Sequence, residues 1–167
     1  RGGILRRGLG YDESDIGVYL NISADHLGLD GLNTLEDLAD LKSVVVDNVK
    51  PEGFAVLNAD DELVMKSIEK IKAKIILFSL DNTNPVLLTH ISNDGIVVTV
   101  KDGNIILRKG TIDMKIARIS NVPITFGGKA TFNIANTLAA VGATYAVGID
   151  IKTIQTSLVT FNSSTGQ

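Results

Sequence analysis

There is no cysteine in the 167 residues, and histidine occurs only twice, at His26 and His90. Without cysteine there are no disulfides and no thiolate metal sites, which suits a cytoplasmic protein. No apolar run approaches the ~18 residues that a membrane helix requires, and there is no signal-peptide pattern. No membrane partner is therefore expected. Basic charge is not in excess: 16 Lys and Arg stand against 19 Asp and Glu, for a formal charge of −3 and a pI near 5.3. That balance argues against a general nucleic-acid binder and against a basic membrane-surface protein. Internal repeats and low-complexity segments are also missing. So is the phosphate-binding loop G-x-x-x-x-G-K followed by Ser or Thr. The sequence opens on Arg1 inside a glycine-rich motif, without Met, and stops at "FNSSTGQ". The expectation is a piece of a longer protein.

What is present is enough for one domain with a real core. Hydrophobic residues make up 44% of the chain and the mean hydropathy is +0.22. "DIGVYLNI" (15–22) reads as a buried strand. The Gly- and Asp-rich loop after it leads to a helix starting near Asn33 or Thr34, with Glu36 placed for a capping interaction. "GFAVLN" (53–58) is a second strand, Asp60 or Asp61 opens a helix through about Lys72, and "KIILFSL" (74–80) is a third strand. This alternation predicts an α/β fold with a mainly parallel sheet. From about 86 to 125 the pattern changes to short strands, "VLLTHI", "IVVTV", "NIILRKG" and "MKIARI", with "NDG" and "KDG" as hairpin signals. An antiparallel β-meander inserted into the α/β body is expected there. An Ala-rich helix (130–148) and a shorter one starting at Asp150 follow.

Five places could carry chemistry, and each has a plain alternative. His26 lies in "NISADHLGLDG" beside Asp25, just after a strand; it is a metal ligand or general base, or a hydrogen-bonded loop residue. Lys42 falls in the apolar stripe Leu35, Leu38, Val45, Val49, where another apolar residue is expected. Such a lysine must snorkel out, pair with an acid, or be neutralised. A desolvated, neutral amine can add carbon dioxide to form a carbamate. Asn58 sits at the carboxyl end of a strand, where ligands collect in open α/β sheets, and Asp60 and Asp61 after it read most simply as helix caps. Asn133 and Asn136 share a helical face and either pair with an adenine edge or lie on a solvated surface. "RGGILRRGLG" (1–10) is an anion-binding cluster or a helix with a flexible entry. His90, in the expected meander without an acidic partner, is structural.

Taken together, "RGGILRRGLG", "NISADHLG", "TLEDLADLKSVV", "VLNADD", "ITFGGKATFNIANTLAA" and "TFNSSTGQ" resemble the Mur-ligase-like half of the cyanophycin synthetase family. The match runs from the first residue to the last, with the meander least distinctive. The resemblance implies that 1–167 is the C-terminal part of a Mur ligase central ATP-binding domain, P-loop-NTPase-like in fold. The phosphate loop, the ATP-grasp half and the C-terminal Mur domain would then lie outside the chain. It implies an ATP-dependent acid–amino-acid ligase that adds arginine to the aspartate side chains of a poly-aspartate backbone through an acyl phosphate. The implied cofactors are ATP and Mg2+, and the implied partners are ATP, arginine and the aspartate polymer (cyanophycin), with the full-length form a homo-oligomer. His26 and Lys42 are implied as ligands of one magnesium ion, Lys42 as the carbamylated lysine. They are 16 positions apart (42 − 26), close to the family spacing. Asn133 and Asn136 fall where the family contacts adenine, and Phe132 stands where many Mur ligases have His. The alternatives are another Mur-type amino-acid ligase, or an inactive scaffold of the same fold. On any of these readings the isolated piece is expected to be inactive.

Overall fold

The computed structural model describes residues 4, 8–24, 28 and 33–161. Strands β1 (Ser14–Tyr19), β2 (Val49–Asn58), β3 (Lys74–Ser79) and β4 (Ile96–Lys101) pair in parallel, each with the next. From β4 the sheet continues antiparallel through β5 (Asn104–Lys109) and β6 (Ile112–Arg118). Among the described residues this makes one six-stranded sheet whose spatial order follows the chain. Helix α1 (Leu35–Asp47) connects β1 to β2. Helix α2 (Glu62–Lys66), continued by a 3-10 turn (Ser67–Lys70), connects β2 to β3, and α3 (Pro85–Ser92) connects β3 to β4. Helices α4 (Thr131–Val147) and α5 (Ile151–Thr160) follow β6.

The strands are buried on both faces, and their alternation sorts the side chains into two cores. Val56, Ile76, Phe78 and Val98 point to one side, where Ile134, Leu138 and Val141 of α4 cover them. Ala55, Leu57, Leu77 and Val97 point to the other, against Val46 of α1, Val64 of α2 and Leu87 of α3. Such two-sided burial explains why these strands read as continuous apolar runs. Two glycines let the helices approach closely. A Cβ on Gly17 of β1 would lie 2.4 Å from the Val45 carbonyl oxygen in α1, and one on Gly142 of α4 would lie 3.0 Å from Val56.

Five local expectations change. "VLLTHI" is not the first strand of the meander but helix α3: Asn84 caps it, accepting from the Val86 and Leu87 N–H groups, and Pro85 takes the first helical position. Capping and a Leu87–Ile91 spacing on the core side outweigh the β-propensity of the run. "NDG" accordingly ends that helix, with Asp94 at positive φ, while "KDG" does form the β4–β5 hairpin. The meander proper spans Ile96–Arg118. In α1 the capping box is closed by Asp37 rather than Glu36: Thr34 Oγ1 accepts from the Asp37 N–H, and Asp37 Oδ2 accepts from the Thr34 N–H, each at 3.0 Å. The helix opened by Asp61 ends at Lys66, short of Lys72.

His90 lies in α3 and holds the crossover to β4. Its Nε2 donates to the Ile75 carbonyl oxygen at 3.1 Å, and a Cβ on Gly95 would come within 2.3 Å of its ring. Burial pulls its pKa below the ordinary histidine value, outweighing the Ile75 hydrogen bond. The fold therefore favours neutral His90. Its contribution is complete above about pH 6.5, the unfolded value, and is lost as pH falls through the lower folded one. Melting temperature followed across this range should fall more steeply for the wild type than for His90→Gln; parallel curves would remove His90 from the account.

Candidate functional site

Because the strand interiors are apolar, the first polar groups come where the chain leaves the sheet. At the carboxyl ends of β1, β2 and β3 these are Leu20–Ile22, Asn58–Asp61 and Ser79–Asp81. A cavity of about 250 Å³ opens there, lined by Leu20, Asn21, Asn58, Phe78, Phe132, Ala135 and Asn136. It lies between the strand ends and the first turns of α4, the position at which open α/β sheets take ligands.

The exit from β1 is bonded to several elements. Tyr19, the last residue of the strand, is buried and its hydroxyl donates to the Ala39 carbonyl of α1 at 2.9 Å. Burial, then Asp61, Asp40 and Asp47, raise its pKa, so the phenol stays a donor. Asn58 Nδ2 donates to the Leu20 carbonyl at 2.9 Å, and Lys42 Nζ donates to the Asn21 carbonyl at 3.4 Å. Asp61 Oδ2 accepts the Ile22 N–H at 2.7 Å.

The exit from β3 is organised by Asp60. Its carboxylate accepts from Ser79 Oγ at 2.5 Å, the Leu80 N–H at 2.8 Å and Asn84 Nδ2 at 3.0 Å. Asp61 caps α2 through Oδ1, which accepts from Leu63 and Val64 N–H groups at 3.0 and 3.1 Å. The capping expected of the aspartate pair is thus carried by Asp61 alone, while Asp60 ties the β2–α2 turn to the β3–α3 turn.

Among the residues singled out by sequence, Asn58 and Asn136 line the same cavity. Asn133 does not line it. Its Nδ2 donates to the Ile124 carbonyl at 2.6 Å and fixes the turn that precedes α4. Lys42 is half-buried, and its amine reaches the strand end rather than a buried acid. The buried face of α1 is Leu38, Ala39, Ser43 and Val46, with Val49 already in β2, so Lys42 stands at the edge of the apolar stripe rather than within it. Lys42 comes from one face of the sheet and Asn136 from the other; Lys42 bonds to the Asn21 carbonyl, and Asn136 lines the same cavity as Asn21. His26 and most of the "RGGILRRGLG" segment lie outside the described residues.

Sequence reasoning missed Asn21, Ser79 and Asn84. Only Asn84, immediately before Pro85, carries a local signal, that of a helix cap. Among the described residues no group of three or more His, Asp or Glu could hold a metal ion.

Residues 7–144 match the family model of the Mur ligase middle domain. The chain is 44% identical over all its 167 residues to cyanophycin synthetase of Synechocystis sp. (strain ATCC 27184 / PCC 6803 / Kazusa), and spans 19% of that protein's length. It is 31% identical over 147 residues to UDP-N-acetylmuramoylalanine--D-glutamate ligase of Clostridioides difficile (strain 630), covering 87% of this chain and 29% of that one. The crystal structure of MurF from Acinetobacter baumannii superposes with a TM-score of 0.64 at 21% identity, over 92% of this chain and 30% of that chain. The last likeness is one of fold.

The two α4 asparagines should separate by experiment. Asn133→Ala removes the donor to Ile124 and should cost about 1 kcal/mol in urea unfolding. Asn136→Ala, at an exposed cavity edge, should stay within about 0.5 kcal/mol of the wild type. Equal costs for the two would contradict this division.

Proposed function

Because this chain belongs to the Mur ligase family, through its middle domain, we propose that it is part of an ATP-dependent carboxylate–amine ligase that makes cyanophycin. On this reading 1–167 is the C-terminal part of the central ATP-binding domain of a longer, cytoplasmic, homo-oligomeric protein. The reaction adds arginine to aspartate side chains of a poly-aspartate backbone. The observation that carries the reading is that Lys42, bonded to the Asn21 carbonyl, and Asn136, lining a cavity with Asn21, stand at the carboxyl ends of the parallel strands from opposite faces of the sheet. The 44% identity along the whole chain to a cyanophycin synthetase supports the choice of substrate.

The chemistry is a double transfer. An aspartate side-chain carboxylate oxygen bonds to the γ-phosphorus of ATP, and the bond from that phosphorus to the β–γ bridging oxygen breaks, releasing ADP. The α-amine of arginine then attacks the acyl carbon; the C–N bond forms, phosphate leaves and the amine gives up a proton. The first step brings anions together, and magnesium supplies the charge that screens them.

The residues fit such an ion in one specific way. Asp60 and Asp61 turn their carboxylates to N–H and O–H donors of the fold. Lys42 as an ammonium is a cation and cannot ligate another. Reaction of its neutral amine with carbon dioxide gives a carbamate and releases a proton, which puts an anionic oxygen group beside the β1 exit without an acid in the sequence. Lys42 as the carbamate and His26 would hold the ion, together with phosphate and water oxygens. Asn133 and Asn136 face the adenine in this assignment. With the Asn133 amide nitrogen committed to Ile124, the adenine edge falls mainly to Asn136.

Two substitutions in the full-length protein test the assignment. Lys42→Ala should keep the fold and lose most arginine addition, with partial recovery on adding short carboxylic acids; near-normal turnover without them would end its role. His26→Ala should raise the Mg2+ concentration needed for arginine addition and leave aspartate addition by the other half intact. Equal loss of both activities would mean that the substitution has damaged the fold instead. A wild-type protein that adds some other amino acid, or none, would favour another Mur-type ligase or an inactive scaffold.

A further inference from the structure

Of the large apolar side chains among the described residues, Phe132 is the most exposed, at 70%. A ring left in solvent gains nothing from the hydrophobic effect, so the fold does not require it. Apolar residues scattered singly over a surface are ordinary, but this one is not isolated. It stands in the first turn of α4, and helical spacing puts Ala135 and Asn136 on the same face. All three line the cavity of about 250 Å³ at the strand ends, where Leu20, also exposed, and the buried Phe78 supply further apolar surface.

The polar groups around this cavity are not equally available. Asn58 has spent its amide: Nδ2 donates to the Leu20 carbonyl at 2.9 Å, and Oδ1 accepts the Asp60 N–H at 3.0 Å. The Asn21 carbonyl already accepts from Lys42. The Asn136 amide is exposed and bonded to none of the described residues. No charged side chain is among the residues that line the cavity. What faces a ligand is therefore an aromatic ring with a free amide one helical turn further on. A planar heteroaromatic ring satisfies both, since its face stacks on the phenyl ring and its edge pairs with the amide. The cavity is smaller than the roughly 300–1,000 Å³ of sites that enclose a drug-sized ligand. It has room for one ring system, with the rest of a larger molecule lying outside.

We infer that Phe132 is the platform on which the base of ATP stacks, with the Asn136 amide at the edge of that base. That the ring is the base of ATP rests on the function proposed above. The Asn133 amide nitrogen is held by the Ile124 carbonyl, so one amide on α4 is left to read the edge and the stack carries the larger share of the base affinity. Stacking is indifferent to which base is offered, because every base has a π-face. Asn136 discriminates, since adenine presents a donor beside N7 where guanine presents an acceptor. Affinity for a base and choice of base are thus divided between two side chains on one face of α4.

The test is Phe132→Ala in the full-length protein, beside Phe132→Tyr, which keeps a ring. In the alanine variant the KM for ATP in arginine addition should rise about 5- to 150-fold, the effect of losing one base–aromatic stack. The tyrosine variant should stay near the wild type. The KM for arginine, the rate of aspartate addition and the thermal stability should hold, the ring being exposed. A readout independent of turnover is 4-fluorophenylalanine incorporated at position 132. Its fluorine resonance should move on adding ATP or adenosine, through the ring current of a stacked base, and stay in place with ribose 5-phosphate or arginine. An unchanged KM for ATP in the alanine variant, or a resonance unmoved by saturating ATP, would overturn the inference. Loss of thermal stability together with both activities would also overturn it, by reducing Phe132 to a packing residue. If the wild-type protein adds no arginine and the resonance still moves with adenosine, the stack stands and the proposed function fails.

Discussion

Burial of the parallel strands on both faces decides where anything polar can sit. Every side chain from Ala55 to Leu57 and from Ile76 to Phe78 is essentially inaccessible, and their backbone groups are engaged in the ladders. An ionisable group placed among them would carry a desolvation penalty of several kcal/mol with nothing to offset it. Polar residues are thus displaced to the strand ends. Close approach at Gly17 and Gly142 brings α1 and α4 onto opposite faces of this slab. That is how a lysine and an asparagine from two layers come to stand at the same end of the sheet.

The carboxylates at the site are structural first. Asp60 and Asp61 are neighbours in sequence, yet they serve different joints: one ties β3 and α3 to the β2 turn, the other ties β1 to α2. Lys42 and Asn58 in turn spend donors on the Asn21 and Leu20 carbonyls.

Much of this was legible in the sequence, and the misses have physical reasons. The three apolar strands, the Asp150 cap and the Ala-rich helix are strong local patterns, and each lies within a residue or a few of its predicted span. Helix α3 was not legible from periodicity because six residues of mixed β-propensity fit either period; the cap at Asn84 was the deciding signal. Lys42 looked like an interruption of an apolar stripe because the stripe was drawn through Val49, which belongs to the next strand. Asn58 could be read from its place at a strand end. The second contact of Asp61 could not, since it joins residues 39 apart, and no local pattern encodes such a pair. The donor role of Asn133 was hidden for the same reason, depending on a turn formed nine residues earlier.

The sheet is wound in chain order, each strand lying beside its immediate predecessor. Ribosomal synthesis runs in the same direction. A strand emerging from the exit tunnel finds its partner already made, and each new pairing closes only the short segment between neighbours, which keeps the entropic cost of closure low. The cavity end belongs to the first three strands, so its floor can be in place before the meander is translated. Its α4 wall, carrying Asn136, arrives only after the last strand, as the late half of an enclosure whose early half can already hold its shape.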